Sequence, residues 1–112
     1  MEYYDAVPMP GGAAADFAVT LTDNSLAPLF SPGETVYLRR RADLRDGDVG
    51  LFFLDGRLVF RQLCADSFGT VYLFAVDRKK SEEDRVFSCA EAEELVCYGK
   101  VVLSSPLPLP SD

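Results

Sequence analysis

The sequence has no histidine, only three cysteines, no long apolar run and a deficit of positive charge. Each absence removes a class of function. Without histidine there is no Ser-His-Asp triad. Cys64, Cys89 and Cys97 are odd in number and have no C-x-x-C spacing, which argues against a disulfide framework and against a four-ligand structural zinc site. They are read as three reduced thiols, at least partly buried, in a cytosolic protein. No metal and no other cofactor is expected. No apolar run approaches a membrane span, and Met1 to Asp5 lacks the basic and apolar regions of a secretory signal. A cytoplasmic location with no membrane partner is the expectation. Eleven basic and 18 acidic side chains leave a net charge of −7, which repels phosphate backbones, so direct nucleic-acid binding by this domain is not expected. The one basic cluster, Arg39, Arg40, Arg41 and Arg45, reads as a solvated strand end and turn.

What is present fits one domain with a single modest core: 112 residues, 48% of them hydrophobic. Residues 1–15 are rich in Pro, Gly and Ala and read as an irregular arm. Period-two alternation and β-formers predict strands over 17–22, 35–40, 48–54, 57–63 and 70–74, with a short one at 86–87. Asp55-Gly56 is the strongest hairpin signal, because a type I′ turn needs positive φ at both central residues. Residues 77–84 form a charged loop, 89–94 a helical turn, and 95–103 a long strand with an interruption, read as a bulge, at Gly99. The tail, residues 105–112, alternates Pro and Leu and favours extended geometry. The β domain then spans residues 16–104. There is no long helix and no internal repeat, so the expected class is all-β, a small partly open barrel-like fold with short helical turns.

One ordered set of motifs points further. A strand leads into Asp23-Asn24-Ser25-Leu26-Ala27-Pro28. Pro32-Gly33-Glu34 opens the next strand, followed by Asp46-Gly47-Asp48-Val49, the Asp55-Gly56 hairpin, Arg57-Leu58-Val59-Phe60-Arg61-Gln62-Leu63, and Gly99-Lys100-Val101-Val102. Over roughly residues 15–103 this resembles the serine–lysine peptidase domain of LexA, the UmuD-type mutagenesis proteins and phage repressors, whose fold is also that of signal peptidases. That family shows G-D-S-M-x-P, G-D-x-V, R-x-G-D-V-V, a D-G hairpin, V-K-R-L and G-x-V-V in order. The resemblance implies that Ser25 occupies the nucleophile position and Arg61 the lysine position. It also implies a homodimer, with residues 95–103, Leu107 and Leu109 contributing to the interface.

The departures carry the functional expectation. In the family a desolvated, neutral lysine takes the serine proton. Arginine stays protonated, so Arg61 cannot be that base, and if buried it must find water or a carboxylate. Lys79, Lys80 and Lys100 are the alternative amines, none at the family position. The scissile Ala-Gly or Cys-Gly dipeptide is absent, and no helix-turn-helix reader precedes Ser25. The expectation is a noncatalytic LexA-like domain serving dimerisation and regulation in a repressor-type transcription regulator, of the SOS or phage kind. Two alternatives stand beside it: an active serine peptidase, self-cleaving or signal-peptidase-like, using Ser25 with another lysine; and a peptide- or anion-binding module in which Arg61 holds a carboxylate in the old substrate cleft. Without the family pattern, Ser25 would read as a helix-turn cap and Arg61 as a strand residue facing solvent or pairing across strands.

Overall fold

The computed structural model describes residues 2–5, 15–40, 43–103 and 107–110. Eight strands run β1 Glu2–Asp5, β2 Phe17–Thr20, β3 Thr35–Arg39, β4 Val49–Leu54, β5 Arg57–Ala65, β6 Val71–Phe74, β7 Arg85–Phe87 and β8 Val96–Val101. A 3-10 helix, Arg78–Glu83, and one α-turn, α1 Cys89–Ala92, complete the secondary structure of the described residues. The strands form a single sheet in the order β1-β2-β3-β8-β4-β5-β6-β7, and every neighbouring pair is antiparallel. β1 and β7 end the order, so the sheet stays open and is not a closed barrel. The all-β class with short helical turns, expected from the alternating pattern, is the class the chain adopts.

Local chemistry sets the elements. At the β4–β5 hairpin Asp55 has φ 50° and Gly56 φ 82°, the left-handed pair that a type I′ turn demands and that Asp and Gly supply most cheaply. Ser88 caps α1 in a reciprocal box: its side chain accepts from the Glu91 N–H while the Glu91 carboxylate accepts from the Ser88 N–H. The charged loop at 77–84 closes into the 3-10 helix, started by the Asp77 side chain accepting from the Lys79 N–H.

Three expectations need correction. Residues 2–5, read as part of an irregular arm, are an edge strand with Tyr3 opposite Val19; adjacent tyrosines favour the pleated surface, but the pairing partner is tertiary. Residues 6–14 of that arm, Arg41 of the basic cluster and Pro106 of the tail lie outside the described residues. The core is not single. One buried cluster joins Phe17, Val19, Leu26, Val36, Leu38, Val49, Leu51, Phe60 and Val101, and another joins Phe52, Val59, Leu73 and Phe87. β4 and β5 lie between them: Leu51 and Phe60 face one cluster, Phe52 and Val59 the other, because successive side chains on a strand point to opposite faces. The thiols are also less buried than expected: Cys64 is half-buried, and Cys89 and Cys97 are exposed. Cys89 opens α1 at the surface, and Cys97 lies on the irregular half of β8.

That irregularity is the expected bulge. Leu51 pairs with Gly99 and Phe52 with Cys97, leaving Tyr98 as the extra residue. Gly99 is required there by close approach, since a Cβ would stand 2.8 Å from the Phe17 ring. Leu107 and Pro108 of the tail are held against the sheet. Buried Gln62 donates its Nε2 to the carbonyls of Gly47 at 3.1 Å, Leu107 at 2.9 Å and Pro108 at 3.2 Å, and Leu107 packs against the first cluster. Arg39, Arg40 and Arg45 are exposed at the β3 end and the following turn. No helix among the described residues is long and apolar enough to cross a membrane.

Candidate functional site

The segment between β2 and β3 is pinned by Leu26, which is fully buried in the first cluster. One residue before it, Ser25 is half-buried at the surface. Its backbone N–H donates to Asp23 Oδ1 at 3.0 Å. Hydrogen bonds from the Ser25 side chain and backbone hold the Asp23 carboxyl below its ordinary value of 3.8, and the nearby Lys80 charge acts in the same direction. The loop then turns through the Ala27 N–H to the Asn24 carbonyl and the Phe30 N–H to the Leu26 carbonyl. Asp23, not Ser25, is the residue that accepts the turn's side-chain bond, so Ser25 is not the cap of this turn.

Opposite stands β5. Its residues 57–61 line a cleft of about 440 Å³ together with Asp23 and Ser25 on the other wall and Lys80 and Glu83 from the 3-10 helix. A cleft lined by five consecutive residues of one strand follows that strand's edge. The backbone sets which groups of β5 turn toward the cleft. The Leu63 N–H donates to the Asp48 carbonyl and the Leu63 carbonyl accepts from the Gly47 N–H, so odd-numbered residues of β5 turn their backbone groups toward β4. Even-numbered residues, Leu58 and Phe60 among them, turn theirs to the other side. On that side β6 pairs with Gln62 to Ala65 and then ends.

Ser25 and Arg61, singled out on sequence as the two site positions, thus line one cleft. Arg61 is 7% exposed. Its Nη1 donates to the Phe60 carbonyl at 2.8 Å and its Nη2 to Glu83 Oε1 at 3.1 Å. Its Nε is buried without a hydrogen-bond partner among the described residues. Burial pulls the Arg61 pKa below the ordinary arginine value; Glu83 opposes that, and the Arg57 charge adds to it. The requirement that a buried Arg61 find water or a carboxylate is met by Glu83 and a main-chain carbonyl.

Lys80 is the residue of the site that the sequence placed elsewhere, in a solvated loop. Its Nζ donates to Asn24 Oδ1 at 2.9 Å, which brings an amine beside the Ser25 loop. Lys100 is turned away to Asp48, at 3.2 Å, and Lys79 is exposed. Glu83 was equally hidden; the only signal for it was the need of a buried arginine for a carboxylate. Among the described residues no group of three or more Cys, Asp or Glu side chains could hold a metal ion.

With this geometry in hand, comparison with known proteins gives one result: the family model described as Peptidase S24-like matches residues 3–102. No curated protein matches the chain. No solved structure matches it either.

Proposed function

The chain belongs to the Peptidase S24-like family, and from that premise we propose that it is a noncatalytic member working by association, as the dimerisation and regulatory domain of a repressor-type transcription regulator. The observation that carries this reading is the occupation of Arg61. Its guanidinium, permanently charged, is bound to Glu83 and the Phe60 carbonyl, so the cleft offers the Ser25 hydroxyl no neutral amine from β5. The Ser25 side chain is engaged instead by the Asp23 carboxylate, whose lowered pKa makes it a weaker proton acceptor than an ordinary carboxylate.

Exposed apolar residues mark the association surface. Val96 and Tyr98 of β8 are about half exposed (47% and 49%), and Phe53, which pairs with both Val96 and Leu58, is exposed beside them. Leu109 is exposed as well, whereas Leu107 is committed to the chain's own core. A two-fold dimer would reuse this face on both subunits. Light scattering that finds a monomer at high protein concentration would remove the dimer.

The test of silence is a fluorophosphonate probe. The native chain should not label, even at elevated pH, and Arg61→Lys should gain labelling at Ser25. Labelling of the native chain that disappears in Ser25→Ala would overturn the proposal. It would favour a second reading, suggested by the Lys80–Asn24 contact, in which Lys80 deprotonates Ser25; loss of labelling in Lys80→Met would then identify the base.

A further inference from the structure

We propose that residues 77–84 are a clasp over the cleft: one closed unit, tied to both walls by polar contacts, whose release opens the way to Ser25. The inference rests on the noncatalytic reading and names what controls access to the same site.

The segment is built to move as one piece. Arg78 and Asp84 form a two-pronged pair, Nη1 to Oδ1 and Nη2 to Oδ2, both at 3.0 Å. Asp84 Oδ1 also accepts from the Ala75 N–H at 2.8 Å, and Arg78 Nη1 donates to the Ala75 carbonyl at 3.1 Å. The two ends are thereby stapled to each other, as in a compact surface loop whose ends meet. Within the loop the Lys80 N–H donates to the Asp77 carbonyl and the Asp84 N–H to the Ser81 carbonyl. These bonds all lie within residues 75–84, so they survive if the segment leaves the cleft.

Its feet are anchored and its span is not. Val76, before the loop, is buried in the first cluster. Phe87, after it, is buried in the second. Between them the 3-10 helix buries no residue. A stretch without apolar burial belongs to the low-stability end of a fold and opens locally while the rest stays folded.

Two ties cross the cleft. Lys80 Nζ donates to Asn24 Oδ1 at 2.9 Å, on the loop that carries Ser25. Glu83 Oε1 accepts from Arg61 Nη2 at 3.1 Å, on β5. Lys80 and Glu83 stand one 3-10 turn apart, yet they go to opposite walls, and both line the cleft with Ser25. Lys80 is also where the helix breaks, at φ −107° and ψ 33°, so the side chain that reaches the Ser25 wall springs from the joint. Because the unit is closed on itself, losing one tie lets the whole segment swing and loosens the other. Opening does not strip the buried guanidinium bare, since Arg61 Nη1 keeps the Phe60 carbonyl at 2.8 Å.

Hydrogen–deuterium exchange of the full chain, read by mass spectrometry, tests the clasp without a ligand. Lys80→Met should speed exchange in residues 77–84 about threefold, the scale of an exposed polar tie, and leave the amides of β4 and β5 as they were. Glu83→Gln should speed exchange in residues 24–30 as well as in 77–84, although Glu83 is tied to the other wall. Salt at about 1 M, which cuts the Debye length to about 3 Å, should loosen the native segment and add little to Glu83→Gln. Ser25→Cys, its alkylation followed by peptide mapping so that the native thiols are read separately, should react about threefold faster once Lys80→Met is added. Exchange that rises only on the side of each substitution would overturn the clasp. So would a rise in β4 and β5 equal to that in 77–84 for Lys80→Met, or an unchanged alkylation rate at residue 25. Fluorophosphonate labelling of Ser25 in the native chain would instead overturn the noncatalytic reading, a result distinct from any of these.

Discussion

Arg61 Nη2 lies 3.1 Å from Glu83 Oε1, so a charge on the sheet and a charge on the 3-10 helix, 22 residues apart, hold the roof of the cleft to its wall. On the noncatalytic reading proposed above, this contact takes the place of the neutral amine that cleavage would need. It also has an energetic consequence, because one partner is far more buried than the other.

Glu83→Ala should destabilise the chain by about 1–2 kcal/mol. Removing the partner of a buried charge costs more than that, but the Glu83 side chain is 36% exposed and water would replace part of what it supplies. Urea denaturation of native and variant chains measures the difference, and a change within error of zero would show the pair to be idle.

Gln62→Leu should cost about 1–3 kcal/mol. The substitution removes the one amide that serves the carbonyls of Gly47, Leu107 and Pro108, leaving main-chain acceptors without their donor. Limited proteolysis should cut the 107–110 segment faster in the variant, before the sheet is attacked.

Gly99→Ala should cost about 1–3 kcal/mol through overpacking. The added methyl would stand 2.8 Å from two carbons of the Phe17 ring, and that ring is buried in the first cluster. A companion change, Phe17→Leu in the same background, should recover part of the loss, which a purely conformational cost at residue 99 would not allow.

The Asp23 carboxyl titrates below its unfolded value of 3.8 when folded, chiefly because of the Ser25 side-chain hydrogen bond. A depressed pKa means that its stabilising contribution is complete above 3.8 and is lost as pH falls through the folded value. Asp23 is exposed, so the contribution stays below about 1 kcal/mol after solvent screening. Native chain and Asp23→Asn should therefore differ in urea midpoint at neutral pH and converge in acid. A constant gap at all pH values would contradict the assignment.

Much of the sheet was legible because its strands are short, rich in β-formers and separated by strong turn signals. Asp55-Gly56 fixed the hairpin, and Gly99 marked the bulge before any pairing was known. What escaped were features whose cause lies far along the chain. Tyr3 and Tyr4 become strand only because Val19 and Ala18 offer an edge. A second core forms because β4 and β5 are covered on both faces, which alternation alone does not reveal. Two residues of the cleft, Ser25 and Arg61, were singled out from ordered motifs. Lys80 and Glu83 could not be, since a run of charges at residues 77–84 looks solvated until the fold carries it across β5.

Gln62 leaves a mark on how this protein can be made. Its amide finds two of its acceptors 45 and 46 residues downstream, so a nascent chain still threaded in the ribosome at that point would bury a donor with only the Gly47 carbonyl to receive its hydrogens. Completion of the first core is thereby deferred until the proline–leucine segment has emerged, and chains truncated before residue 107 should be the ones that quality-control proteases remove.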